Sequence, residues 1–378
     1  MKPIYLDNAA TTMIDAEVLS VIQAASLENY GNPSSTHQFG RKAKSAIETA
    51  RKNIAKYFNV SAGEIIFTSG GTEADNLILN NAVLNLGVQR IITSKIEHHA
   101  VLHTCEFLEK TSHRVVDFVK LDAFGAVDLE HLETLLATSD KKTLISLMFI
   151  NNEIGNILQV AEICELSKKY KALFHSDTVQ VIGHYTIDLQ QFPIDFIVAS
   201  AHKFHGPKGV GFAYFKKGFG ILPLFYGGNQ EKGARSSTEN VQGILGMEKA
   251  LEIAQKNIAI DATSLKNIKR YFISELNNSF QNIHFNGLSE DLEKSSYTIL
   301  NVRFPVKNDL LLFSLDMAGI AVSGGSACQS GGNKGSHVLQ EILDDAAVKM
   351  TSIRFSFSKF TTKEDIDFTI VKLKQLLQ

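Results

Sequence analysis

Between residues 64 and 215 the chain alternates short β-rich apolar runs with stretches of helical periodicity. EIIFTS (64–69), RIITS (90–94), RVVDFVKL (114–121), TLISLMFI (143–150), ALFHSD (172–177), DFIVAS (195–200) and GVGFAYF (209–215) read as strands. Between two of them, VAEICELSKKYKA (160–172) repeats its apolar residues at i, i+3 and i+4, as the crossover helix of a βαβ unit does. The alternation predicts an α/β fold on a mostly parallel seven-stranded sheet with helices on both faces. Ligands on such sheets bind beyond the carboxyl ends of the strands.

The pattern changes after the glycine pair Gly227–Gly228. Residues Val241 to Phe280 are helix-rich, and then come SYTILNVRF, SIRFSFS and a closing amphipathic helix, TKEDIDFTIVKLKQLL. This predicts a smaller α+β domain joined by a long helix. The expected division is a large domain over 15–250 and a small one made of 1–14 and 251–378, which carries the loop around Cys328.

Composition narrows the class. At 378 residues the chain is too long for one ordinary core; its 44% hydrophobic and 21% charged residues, with only 6 prolines, describe an ordered globule. With 38 Lys and Arg against 40 Asp and Glu, the net charge of −2 offers no basic field for nucleic acid. The start, MKPIYLDNAATT, has neither a signal-peptide nor a transit-peptide layout, and no 18-residue apolar run follows. A cytoplasmic protein without membrane contact is expected. The three cysteines, Cys105, Cys164 and Cys328, are far apart and lack CxxC spacing, which argues against a disulfide framework or a zinc site. Cys105 and Cys164 sit among apolar residues at helical spacing and read as small buried hydrophobes.

The chemistry-bearing residues cluster at predicted strand ends. In SAHKFHGPKG an apolar strand delivers Lys203 to the mouth of the sheet, with Ser200, His202 and His205 beside it. A lysine picked at random is a solvated surface group, but one held in a partly desolvated pocket has a lowered pKa and becomes a Schiff-base nucleophile. Twenty-six residues earlier, ALFHSDTVQ ends a strand with Asp177 and Gln180. Asp177 reads equally as a cap of the following segment or as the carboxylate that keeps a pyridinium nitrogen protonated, with Gln180 in reach of the ring's phenolic oxygen. FTSGGTEADN is a strand, a glycine turn at Gly70 and Gly71, and a helix start with Thr72. Its bare backbone N–H groups and helix dipole suit an anion site, but it lacks the Walker and dinucleotide patterns, and taken alone it reads first as a plain strand-to-helix turn.

His98 and His99 follow a strand without spaced partners, so a metal site is set aside. One imidazole is placed instead to stack on a planar cofactor and move protons near neutral pH. Asn152 in MFINNEIG stands at a strand end, where a turn or a ligand hydrogen bond explains it. Cys328 lies in AGIAVSGGSACQSGGNKGSHVL, with five glycines from Gly324 to Gly335 around it and no apolar run beside it. This composition suits an accessible nucleophile better than a core thiol.

Taken in order, YLDNAATT, YGNPSSTH, GGTEADN, EHHAVL, NNEIG, SDTVQ, SAHKFHGPKG, RSSTEN, SGGSACQSG and SIRFSFSKFTT resemble the NifS/IscS-type cysteine desulfurases over essentially the whole chain. The resemblance implies a fold-type-I PLP-dependent transferase, homodimeric, with a large cofactor domain and a small domain. It implies that Lys203 holds pyridoxal 5'-phosphate (PLP) as a Schiff base, that Asp177 pairs with the pyridine nitrogen and Gln180 with the phenolic oxygen, and that His98 stacks on the ring. Gly71, Thr72, Ser200 and His202 would bind the phosphate, with Thr238 contributed by the other subunit. Asn152 and Arg354 would hold the substrate L-cysteine, and Cys328 would take its sulfur as a persulfide and leave alanine. The persulfide would pass to an acceptor, in iron–sulfur cluster assembly, tRNA thiolation or another thio-cofactor pathway.

The loop around Cys328 resembles the family branch in which the cysteine rides on a mobile arm. GGT and HSD depart from the commoner family residues without removing a needed group. The chain stops at Gln378, short of the tail of some members, which puts docking to an iron–sulfur scaffold in doubt. Competing readings are a selenocysteine lyase or a general class-V aminotransferase on the same fold, the latter disfavoured by Cys328. A catalytically idle sulfur-transfer scaffold is the alternative from another class.

Overall fold

A computed structural model of the chain describes residues 3–324 and 335–377. Its first strand, β1 (Ile4–Tyr5), is short, and the central sheet is built from the next seven: β2 (Ile65–Thr68), β3 (Arg90–Thr93), β4 (Val115–Phe118), β5 (Thr143–Ser146), β6 (Leu173–Ser176), β7 (Phe196–Ser200) and β8 (Gly211–Phe215). Their order is β2-β8-β7-β6-β5-β3-β4. The sheet is parallel throughout except for β8, which runs antiparallel to both its neighbours. Each apolar run read from the sequence lies on one of these strands, β5 being shorter than TLISLMFI.

The strands are apolar throughout because both faces are covered. Successive side chains point to opposite faces, so Ile65 and Phe67 enter one core with Ile197 and Ala199, while Ile66, Phe196 and Val198 enter the other. The spacer VAEICELSKKYKA becomes the helix Val160–Lys169 and buries Val160, Ile163 and Cys164. No helix among the described residues is long and apolar enough to cross a membrane.

A third core gathers around a second, antiparallel sheet of β9 (His284–Phe285), β10 (Ile299–Arg303) and β12 (Ser352–Ser356), with β10 in the middle. β11 (Ile320–Ala321) pairs in parallel with β1, so Ile4 and Leu6 join this core. The helix Val241–Ser279 serves both regions. Its first turns pack Ile244, Met247 and Leu251 against the central sheet, and its last turns bury Leu265, Phe272 and Leu276 in the third core.

Candidate active site

Five parallel strands end at one side of the central sheet, and each delivers a functional group there. β7 runs into the short turn Ala201–Lys203, β6 into Asp177, β5 towards Asn152, β3 into His98, and β2 into the Gly70–Gly71 turn. Gly71, Thr72, His98, Asn152, Asp177, Gln180, Ser200, His202, Lys203 and Arg354 line one cavity of about 510 Å³. This is the location that the strand-end rule for parallel sheets assigns to a ligand.

Lys203 Nζ donates to the main-chain carbonyls of Ala9 (2.6 Å) and Ala10 (2.9 Å), and Gln180 Nε2 also donates to Ala9 O (3.0 Å). Neutral main-chain acceptors thus hold the amine at this point. Asp177 is buried, and its Oδ1 accepts from Val179 N at 2.9 Å. Burial pushes the Asp177 carboxyl above its usual range, while His98, the Val179 bond and Lys203 pull it back. Burial and Lys203 hold the His98 imidazole below its usual value against the pull of Asp177, so it is neutral near pH 7. His98 is also the N-cap of the helix His99–Ser112, its Nδ1 accepting from Ala100 N (3.1 Å). His202 is depressed to about 4 by burial and by Lys203 and Lys208.

The helix Gly71–Leu84 begins at the same cavity, beside Ser200, and its first backbone N–H groups have no partner within the helix. Gly70 has φ +153°, and a Cβ on Gly71 would stand 2.8 Å from Val179 Cγ2, so side chains are excluded where the turn meets the cavity. Arg354, 2% exposed on β12, donates from Nη1 to Asn152 O (2.8 Å) and from Nη2 to Asp7 Oδ1 (2.9 Å). Two of its five N–H groups are used in these bonds, and its buried Nε has no hydrogen-bond partner among the described residues.

One expected site residue lies elsewhere. Thr238 is exposed and lines a neighbouring pocket of about 170 Å³, which shares Ser69 and Gly209 with the edge of the main cavity. Cys328 lies outside the described residues. Cys105 and Cys164 are buried, and burial pushes both thiols up to about 12.

The aminotransferase class-V family matches residues 4–368. A cysteine desulfurase IscS of Dictyoglomus turgidum is 40% identical over 382 residues, covering all of this chain and 95% of the relative. A second, from Clostridium botulinum, is 41% identical over 380 residues with the same coverage. Among solved structures, a NifS-like protein superposes with a TM-score of 0.90 at 37% identity over 99% of both chains. A structure described as SspA in complex with cysteine does so with a TM-score of 0.80 at 30% identity over 95% of this chain and all of that one.

The chain belongs to the class-V aminotransferase family. Its cysteine desulfurase members depend on PLP, and the cavity suits that cofactor chemically. A primary amine, a buried carboxylate and a neutral imidazole line the same cavity, and the helix start at Gly70 and Gly71 lines it together with Thr72, Ser200 and His202, a lining that suits an anion.

Other residues in or beside this class-V site stand outside the strand-end pattern. Ala9, Ala10 and Thr11 reach it from the N-terminal segment, more than 190 residues before Lys203 in the Ala9 and Ala10 contacts, and Asp7 of the same segment holds Arg354. Thr11 Oγ1 lies 3.1 Å from His202 Nδ1. Asp75 lines the cavity and could have been suspected, because it lies one helical turn after Thr72 and shares its face. Glu97 and Glu153, buried at 2% and 0% exposure, flank His98 and Asn152 in sequence and read there as ordinary turn residues.

Proposed function

We propose that this chain is a PLP-dependent cysteine desulfurase that converts L-cysteine to L-alanine and leaves the sulfur on Cys328. The observation that carries this reading is the convergence of Lys203, Asp177, His98, Asn152 and Arg354 on one cavity in a chain that also supplies a glycine-flanked thiol. Lys203 would hold PLP, Asp177 the pyridine nitrogen, Gln180 the phenolic oxygen, and Gly71, Thr72, Ser200 and His202 the phosphate. PLP, when bound, supplies an electron sink for the charge left at the substrate α-carbon.

The remaining chemistry belongs to the chain. Arg354 and Asn152 bind the substrate carboxylate and orient the α-carbon, with Asp7 and the Asn152 carbonyl fixing the guanidinium plane. Lys203 Nζ removes the α-proton; its neighbours Ala9 O and Ala10 O orient the amine and stabilise it once protonated. His98, neutral near pH 7, is able to accept or return a proton on the facing side. The Cys328 thiolate then attacks the substrate sulfur: an S–S bond forms, the C–S bond breaks, and its electron pair stays on the substrate carbon, which is protonated to alanine. A thiol acceptor regenerates Cys328.

The working unit in this reading is a cytoplasmic homodimer with Thr238 serving the partner's phosphate site, and the persulfide goes to an acceptor protein, as in iron–sulfur cluster assembly. The exposed position of Thr238 outside its own cavity supports that arrangement. The domain division at residues 14 and 250 is supported by the change of core along the helix Val241–Ser279. Incubation of the purified protein with L-cysteine and a reductant should yield alanine and sulfide in equal amounts. Alanine without sulfide would overturn the reading, and sedimentation of an active monomer would overturn the dimer. Selenocysteine is a second substrate to be tested in the same assay.

A further inference from the structure

The stretch that contains Cys328 is rooted on both sides in residues of the substrate end of the cavity. On its N-terminal side Ser323 forms an antiparallel bridge to Arg354: Arg354 N donates to Ser323 O (2.7 Å) and Ser323 N to Arg354 O (3.3 Å). On its C-terminal side the Ser336 hydroxyl donates to Glu153 Oε2 and accepts from Leu339 N at 3.0 Å, capping the helix His337–Ile342. His337 follows, with Nε2 2.9 Å from Glu97 O.

Glu153 is an unusual tether. It is fully buried, it lines the cavity next to Asn152, and its Oε1 has no hydrogen-bond partner among the described residues. Its backbone cannot drift, because Asn151 Oδ1 accepts from Glu153 N (2.9 Å) and Ile154 N (3.0 Å), while Glu153 O accepts from Asn301 Nδ2 (3.0 Å). A buried carboxyl with one idle oxygen costs desolvation energy, so a merely space-filling role would favour an apolar side chain. Burial pushes this carboxyl up, against the pull of Ser336, His337 and Arg354.

We infer that Glu153 is a positioning residue for sulfur transfer, registering the C-terminal root of the Cys328 stretch, through Ser336, against the Asn152–Arg354 substrate pair. The inference rests on the desulfurase reading and adds to it a residue that acts after α-proton removal. A rigid acceptor is needed there because small displacements of a nucleophile cost large factors in rate. Since Ser323 is bonded to the backbone of Arg354 and Ser336 to the neighbour of Asn152, the described residues on both sides of the Cys328 stretch and the substrate pair share one frame.

The test uses the PLP-loaded enzyme and four variants: Glu153→Ala, Ser336→Ala, the double variant, and Glu153→Gln, which retains an oxygen to accept the Ser336 hydroxyl. Three quantities are measured: alanine release, exchange of the substrate α-proton with solvent deuterium, and the rate at which iodoacetamide alkylates Cys328. Because Cys105 and Cys164 are buried with thiols pushed up to about 12, alkylation of the folded enzyme reports Cys328. Each alanine variant should lose about tenfold or more in alanine release, as expected for one buried hydrogen bond to a carboxylate, and should change the alkylation rate. α-Proton exchange should stay at the wild-type rate, the double variant should be no worse than either single one, and Gln should restore release. Equal losses in exchange and release, multiplying losses in the double variant, or an unchanged alkylation rate would overturn the inference. Cys328→Ser is the control for the underlying reading: if it releases alanine at the wild-type rate, the desulfurase mechanism itself fails, whatever Glu153 does.

Discussion

Glu231→Ala is the sharpest test of how the fold holds the site, because a single carboxylate joins the first sheet strand, the helix before it and the segment leading to Thr238. Arg51, from the helix Gln38–Tyr57, donates bidentately to Glu231 at 2.6 and 2.7 Å, and the two side chains are 5% and 2% exposed. Glu231 Oε2 also accepts from Phe67 N (2.9 Å), and the guanidinium lies 4.5 Å above the Phe67 ring. Both Glu231 (φ 48°) and Lys232 (φ 57°) sit in the left-handed region, a strained pair that persists because the ion pair over-determines it.

Removing one partner of a buried pair costs about 3–5 kcal/mol. Glu48 keeps an ionic contact with Arg51 Nε at 3.2 Å, which places the charge loss near the lower end, about 3 kcal/mol. The orphaned Phe67 N–H adds about 1 kcal/mol. Relief of the left-handed strain offsets part of that sum, so Glu231→Ala should cost about 3 kcal/mol. Glu231→Gln, which loses the charge, keeps one acceptor oxygen and sets an NH2 donor against an N–H of Arg51 or Phe67, should recover only part of that loss. Urea denaturation at fixed protein concentration reads this as a lowered midpoint with an unchanged slope. Arg51→Ala and the double variant complete the cycle, and the double loss should fall well short of the sum. Because Arg235, three residues before Thr238, is bonded to Glu73 at 2.8 and 3.1 Å, the same variant should release PLP faster on dialysis. A loss below about 1 kcal/mol, the range of an exposed pair, or strict additivity with Arg51→Ala would refute the reasoning.

Lys203→Ala should abolish turnover together with the borohydride-sensitive absorbance of bound PLP, and retained desulfuration would remove Lys203 from the mechanism. Asp177→Asn should keep PLP but slow α-proton exchange by orders of magnitude; normal exchange would make Asp177 a cap for Val179 and nothing more. Cys328→Ser should keep α-proton exchange and lose both the persulfide, read by mass spectrometry, and alanine release, because a serine hydroxyl is scarcely ionised near neutral pH. Glu97, whose carboxyl is pushed up to about 8 by burial, binds its proton more tightly folded than unfolded. Its contribution to stability is therefore present below its ordinary pKa and is lost as pH rises towards 8. Glu97→Gln should gain on the wild type between about pH 5 and about pH 8 in urea midpoint, and a constant difference would contradict the assignment.

Much of the molecule is written in short-range patterns. An apolar run of four to six residues that ends in a polar group is recognisable locally, so β2 to β8 could be read off the chain, and with them the strand-end positions of Lys203, Asp177 and His98. The switch to helical periodicity at Val241 is equally local, since turn-to-turn spacing is set by neighbours three and four residues apart. What the tertiary structure alone decided are the contacts between residues far apart in the chain. Local periodicity cannot say that Ala9 and Ala10 accept from Lys203, that Asp7 orients Arg354, or that Ser336 reaches Glu153, because these bonds join residues 183 to 347 positions apart. It also cannot say that β8 runs against its neighbours, since strand direction depends on the path of the connecting chain. Side chains such as Glu153 and Glu231 look like ordinary surface carboxylates in sequence. Burial makes them costly, and only the three-dimensional arrangement of Ser336 and Arg51 supplies the partners that hold them there.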